Sequence, residues 1–146
     1  MVTRRFLLSS VFLALLCLVG CSDKALQTVA KASRDIAAAN LAIQNTVITA
    51  QQSGAITVEQ ARYVIEISLK IAQADQQVNA AISGLNALAP ADKSKILAIL
   101  QPVIDAVNQA VTTGVVPIQN QTIKTSIMAA LTTIQAALAT VKAVVG

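Results

Sequence analysis

Histidine and tryptophan are missing from this 146-residue chain, aromatic residues make up only 2% of it, and charged residues only 12%. Without imidazole, the commonest general base and most zinc ligand sets are gone. Di-iron bundles, which need Glu-x-x-His pairs, go with them. Five Gly and three Pro exclude collagen-like repeats, and two Cys are too few for a disulfide framework. A hydrophobic content of 55% is the opposite of the disorder signature. The length suits one domain.

What is present begins with an export signal. Arg4 and Arg5 form a positive n-region, and Phe6 to Val19 form an apolar stretch interrupted only by Ser9 and Ser10. That stretch is shorter than the roughly 20 apolar residues a membrane span needs, so residues 1–20 read as a removable leader. The leader ends in Leu18-Val19-Gly20-Cys21, followed at once by polar Ser22, Asp23 and Lys24.

This tetrapeptide resembles the lipobox of bacterial lipoproteins. The resemblance covers the leader and Cys21 alone. It implies that the Cys21 thiol receives a diacylglyceryl group, that signal peptidase II cuts before it, and that the new amino group is acylated. Cysteine usage agrees: Cys17 would leave with the leader, and acylation would block the lone thiol that remains, which is a liability in an oxidising compartment. The Thr3-Arg4-Arg5-Phe6-Leu7-Leu8 segment partly resembles a twin-arginine export motif. Twin arginines are also common in plain n-regions, so the export route stays open. In enterobacterial lipoproteins an Asp directly after the lipidated Cys favours inner-membrane retention; Ser22 stands there instead. The expected location is the periplasmic face of the outer membrane in a didermic host, and otherwise the outer face of the cytoplasmic membrane.

Losing Arg4 and Arg5 takes 11 basic residues to 9 against 7 acidic ones, and the net charge from +4 to +2. No basic run is interleaved with aromatics, so nucleic-acid binding has no electrostatic footprint. Residues 21–146 are read as one domain. Breakers at Gly54, Ala89-Pro90, Pro102 and 113–117 divide it into helical segments 22–53, 58–88, 90–113 and 118–145. The clearest stripe is Ile127, Leu131, Ile134, Leu138, Val141 and Val145, in alternating steps of four and three. Residues 58–88 repeat it from Val64 through Ile71 and Val78 to Leu85 and Leu88. The first stripe, Leu26 to Val47, contains two polar members, Ser33 and Asn40.

Asp23 is placed to cap the first helix, Thr57 with Gln60 reads as a capping box, Gly54 and Gly114 suit left-handed helix ends, and Pro90 and Pro117 suit first helical positions. Pro102 predicts a kink. Four helices of similar length with short connections predict an all-α, up-down-up-down antiparallel four-helix bundle. Strongly polar groups at Asp105, Asn108, Gln109, Gln135 and Lys142 argue for a lipid-tethered and not a polytopic chain.

The remaining candidates have plain readings. Glu59 with Arg62, Glu66 with Lys70, Lys31 with Asp35, and Asp92 with Lys95 stand at helical neighbour spacings typical of a solvated face. Asn40 and Ser33 suit a register-fixing role better than a binding niche. The Gln76-Gln77-Val78-Asn79 and Gln119-Asn120-Gln121 clusters read as hydrophilic faces, and Tyr63 as a rim or core residue. The expectation is thus a noncatalytic lipoprotein with Cys21 as its lipidation site and no cofactor or metal. Its partners would be the membrane and an envelope protein touching the 53–57 and 113–118 loops, with the 88–91 turn beside the lipid. The alternatives are a membrane-active or pore-forming helical protein and a carrier of a small apolar ligand. Murein lipoproteins also run from the lipid into helix, but they have one short helix ending in Lys, whereas the last residue here is Gly146.

Overall fold

A computed structural model describes residues 23–115 and 117–146. The expected leader 1–20 and the expected lipidation site Cys21, with Ser22 and Val116, lie outside the described residues. Four helices follow in order: α1 (Lys24–Gln52), α2 (Val58–Ile82), α3 (Pro90–Thr113) and α4 (Gln121–Val145). Each packs on two neighbours, closing the cycle α1-α2-α3-α4-α1, with the largest interface between α1 and α4.

The chain direction alternates, as the cross-helix hydrogen bonds show. Along α1, Ser33 meets Asp75 and Asn79 of α2, whereas Asn40 and Gln44 meet Ser68, so one number rises as the other falls. The result is the antiparallel four-helix bundle that short connections impose. All four apolar stripes point inward. Val29, Ile43, Val47, Val64, Ile71, Ile96, Val107, Ile127, Leu131 and Ile134 form its fully buried centre.

The helix ends follow their local chemistry. Asp23 accepts a hydrogen bond from the Ala25 N–H at 3.1 Å and starts α1. At α2, the Gln60 N–H donates to Thr57 Oγ1 at 3.2 Å and the Thr57 N–H to Gln60 Oε1 at 2.9 Å, a complete capping box. Pro90 opens α3, where Asp92 accepts from the Ala89 N–H at 3.0 Å. Gly114, at φ +69°, closes it, and α3 continues as helix on both sides of Pro102, which is exposed.

Two boundaries depart from the sequence reading. Helix α2 stops at Ile82, six residues before the expected 88, because Ser83 is extended and Gly84 turns left-handed at φ +77°. Leu88 is nonetheless buried, but from a loop folded under the bundle. Helix α4 starts at Gln121 and not at 118. Asn120 accepts from the Ile123 N–H at 3.2 Å and acts as the cap. Pro117 therefore lies in the connection and not at a first helical position. Ile118 beside it is buried, as is Val115, whose φ of +48° is unusual for a β-branched residue. Both pin the α3–α4 loop into the core.

Candidate functional site

The topology gives the bundle two ends of different character. One end, the base, carries the start of α1, the 83–89 turn, the start of α3 and the last turn of α4. Asp23 is fixed there at three points. Its backbone N–H donates to the Asn86 carbonyl at 3.1 Å, and its carboxylate accepts from the Ala25 N–H and, at 3.4 Å, from the Leu88 N–H. Cys21 precedes this fixed residue by two positions. At the far end, the first turn of α2 meets the 114–120 connection where Gln60 Nε2 donates to the Pro117 carbonyl, and Gln60 also bonds Thr57 of the 53–57 connection. Neither proposed contact loop, 53–57 or 113–118, is therefore an isolated excursion.

The polar seam between α1 and α2 is the most organised cluster of side chains. Ser33 Oγ donates to the Asp75 carboxylate and contacts Asn79 Oδ1 at 3.0 Å; Asn79 Nδ2 donates to Asp75 Oδ2 at 3.1 Å. One layer up, Asn40 Nδ2 donates to the Ser68 carbonyl at 3.0 Å, and Gln44 Nε2 to Ser68 Oγ at 2.9 Å. Ser33, Asn40 and Ser68 are all buried. Sliding α1 against α2 by one turn would strand these groups, which gives the seam its register function. Ser68, Asp75 and Gln44 were not identified as its members from the sequence. Ser68 adjoins the stripe residue Ile67, and only the pairing of the helices brings it to Asn40.

One atom of the seam is unsatisfied, Asn40 Oδ1. Asn40→Leu is accordingly expected to leave stability equal to or above that of the parent, since the Ser68 carbonyl keeps its place in the helix and an orphaned acceptor is removed. Asn40→Asp is expected to lower it by about 1–3 kcal/mol, because the donor to Ser68 is lost and a carboxylate is buried. Denaturant midpoints of the two variants check both signs.

The other candidates are dispersed. Glu59, Arg62, Glu66 and Lys70 are exposed along α2. Gln76, Gln77 and Asn79 are exposed, Asn120 is spent on the α4 cap, and Tyr63 packs half-buried against the core. Among the described residues no three His, Cys, Asp or Glu side chains converge as a metal site would require. Two helices, α3 and α4, are long and apolar enough to cross a membrane by length and composition. In the bundle both turn their largest apolar residues inward. Five of the six hydroxyl groups of α4, at 125, 126, 132, 133 and 140, donate to carbonyls four residues earlier. Comparison with protein-family models, curated proteins and solved structures gives no match. Function is therefore read from the residues and their placement.

Proposed function

We propose that this chain is a noncatalytic cell-envelope lipoprotein, in which acylated Cys21 holds the four-helix bundle at a membrane surface as a structural or protein-interaction module. The observation that carries this reading is the Leu18-Val19-Gly20-Cys21 sequence at the end of the apolar leader. In support, the first described residue after it, Asp23, is bound into the base of the bundle by both backbone and side chain. No flexible linker of the Gly- or Ser-rich kind intervenes, so the bundle would stand on its membrane. Helix α1 has 29 residues, about 43 Å at 1.5 Å per residue, and the far loops would be held out at that height. The module would take no cofactor, metal or nucleic acid, and its partner would be another envelope protein.

Photo-crosslinking groups at Ser53 and Gln119, compared with one at Ala89, test the orientation in intact cells. A discrete adduct at the first two positions is expected. Capture at Ala89 alone would contradict the assignment of the far loops as the contact surface.

A second reading, a membrane-active protein, draws on the length and apolarity of α3 and α4. Insertion would have to carry Asp105 or Lys142 across the bilayer, at about 2.5–3.5 kcal/mol for a charge at its centre. Dye release from liposomes at low protein-to-lipid ratio would favour this second reading, and intact vesicles the first.

A further inference from the structure

The bundle gathers at its base charges that are scattered along the chain. Lys24, Lys31, Arg34, Lys93, Lys95 and Lys142 all lie in the half nearest Asp23, against Asp23, Asp35, Asp75 and Asp92. The other half, with Lys70 at its boundary, holds Arg62, Lys70 and Lys124 against Glu59, Glu66 and Asp105, which cancel. The net positive side-chain charge of residues 23–146 therefore sits in the base half.

Three of the four base carboxylates are also turned to internal donors. Asp23 accepts from Ala25 and Leu88, Asp92 from Ala89, and Asp75 from Ser33 and Asn79. Of the base cations, Arg34 Nε donates to the Ala30 carbonyl at 3.3 Å. Lys24, Lys31, Arg34, Lys95 and Lys142 are exposed. Lys31 and Arg34, with Asp35 beside them, line a cleft that also has Leu26, Gln27, Ala30 and Ile82 on its walls, so two cations and one carboxylate sit by a partly apolar surface.

We infer that this base is a docking surface for the headgroups of anionic phospholipids. The inference rests on the reading of Cys21 as the anchor and adds the lipid class that the anchored domain selects. Distance makes it effective. The two Cα-to-Cα steps from Asp23 to the membrane-held position at Cys21 span at most about 7 Å, less than the Debye length of about 10 Å at 0.1 M salt. The base is thus held where its charge is felt. Each basic residue close to an anionic leaflet multiplies association about fivefold. Docking would hold the bundle upright, whereas on a zwitterionic surface it would pivot about its short tether.

The test uses the protein purified from membranes, with Ser53→Cys labelled by a donor dye and acceptor dyes on headgroups of nanodisc lipids. In phosphatidylglycerol discs at low salt, energy transfer from position 53 is expected to be about twofold lower than in phosphatidylcholine discs, as charge-dependent docking requires. Salt at 0.5 M, where the screening length is roughly 4 Å, is expected to abolish the difference. The triple variant Lys24→Glu, Lys95→Glu, Lys142→Glu is expected to abolish it at low salt. Arg62→Glu, Lys70→Glu, Lys124→Glu, with the same total charge change, is expected to retain it. Transfer independent of lipid charge, or equal loss in both triple variants, would overturn the docking surface alone. A second dye on Cys21 would show a free thiol there and overturn the anchoring reading itself.

Discussion

Cys21→Ser is expected to abolish the membrane-held mature species. A thioether-linked diacylglyceryl group cannot form on a hydroxyl in this position, so the variant would accumulate either as a precursor retaining residues 1–20 or as a soluble chain. The size of the effect follows from lipid number. One acyl chain gives only marginal binding, with an association constant of about 10⁴ M⁻¹, and stable anchoring takes a second chain at about 0.8 kcal/mol per buried CH₂. With two or three chains the wild type should resist high-salt and carbonate washing, because the acyl chains hold it even when ionic contacts are screened. The variant should contribute no chain of mature mass to the washed membrane pellet. Mature-sized variant in that pellet at wild-type abundance would mean that something other than Cys21 holds the protein.

The second large effect concerns the core. Ile134 is fully buried at the centre of α4, in the stripe that runs from Ile127 to Val145. Ile134→Ala is expected to cost about 2–5 kcal/mol, the lost transfer energy plus the cavity left where neighbours cannot collapse. Against a total stability of about 5–15 kcal/mol for an ordinary domain, that is enough to shift the unfolding midpoint by many degrees. Leu41→Ala removes an equally apolar side chain from a position 56% exposed and is expected to change stability by less than about 0.5 kcal/mol. Thermal unfolding followed by circular dichroism compares the two. Equal losses would mean that α4 does not present its stripe to the core.

The fold was legible because its local signals agree. Asp23, the Thr57–Gln60 pair, Gly54 and Gly114 each sit at the boundary their chemistry demands. The α2 boundary was misread because Leu85 and Leu88 keep helical spacing and Leu88 is indeed buried. A loop that folds back into a core imitates a stripe, and Ser83-Gly84 was the overriding signal. At 117–120, proline chemistry competed with an Asn cap, and the cap won because Ile118 had to turn inward before the helix could begin.

Of the candidate sites, the Leu18-Val19-Gly20-Cys21 tetrapeptide is legible because it is contiguous. The polar seam is only half legible. Ser33 and Asn40 interrupt a stripe and announce themselves, while Ser68 and Asp75 join them only once α1 and α2 are in register. The basic base is not legible at all in one dimension. Lys24, Lys93, Lys95 and Lys142 meet at one end only because α1 and α3 start where α2 and α4 finish.

The most direct measurement is the intact mass of the chain extracted from membranes. The account predicts a single polypeptide beginning at Cys21, heavier than residues 21–146 by a diacylglyceryl group and an amide-linked acyl chain, with the added mass confined to the N-terminal fragment on digestion. A chain that retains residues 1–20, or one in which Cys21 carries no added mass, would contradict it.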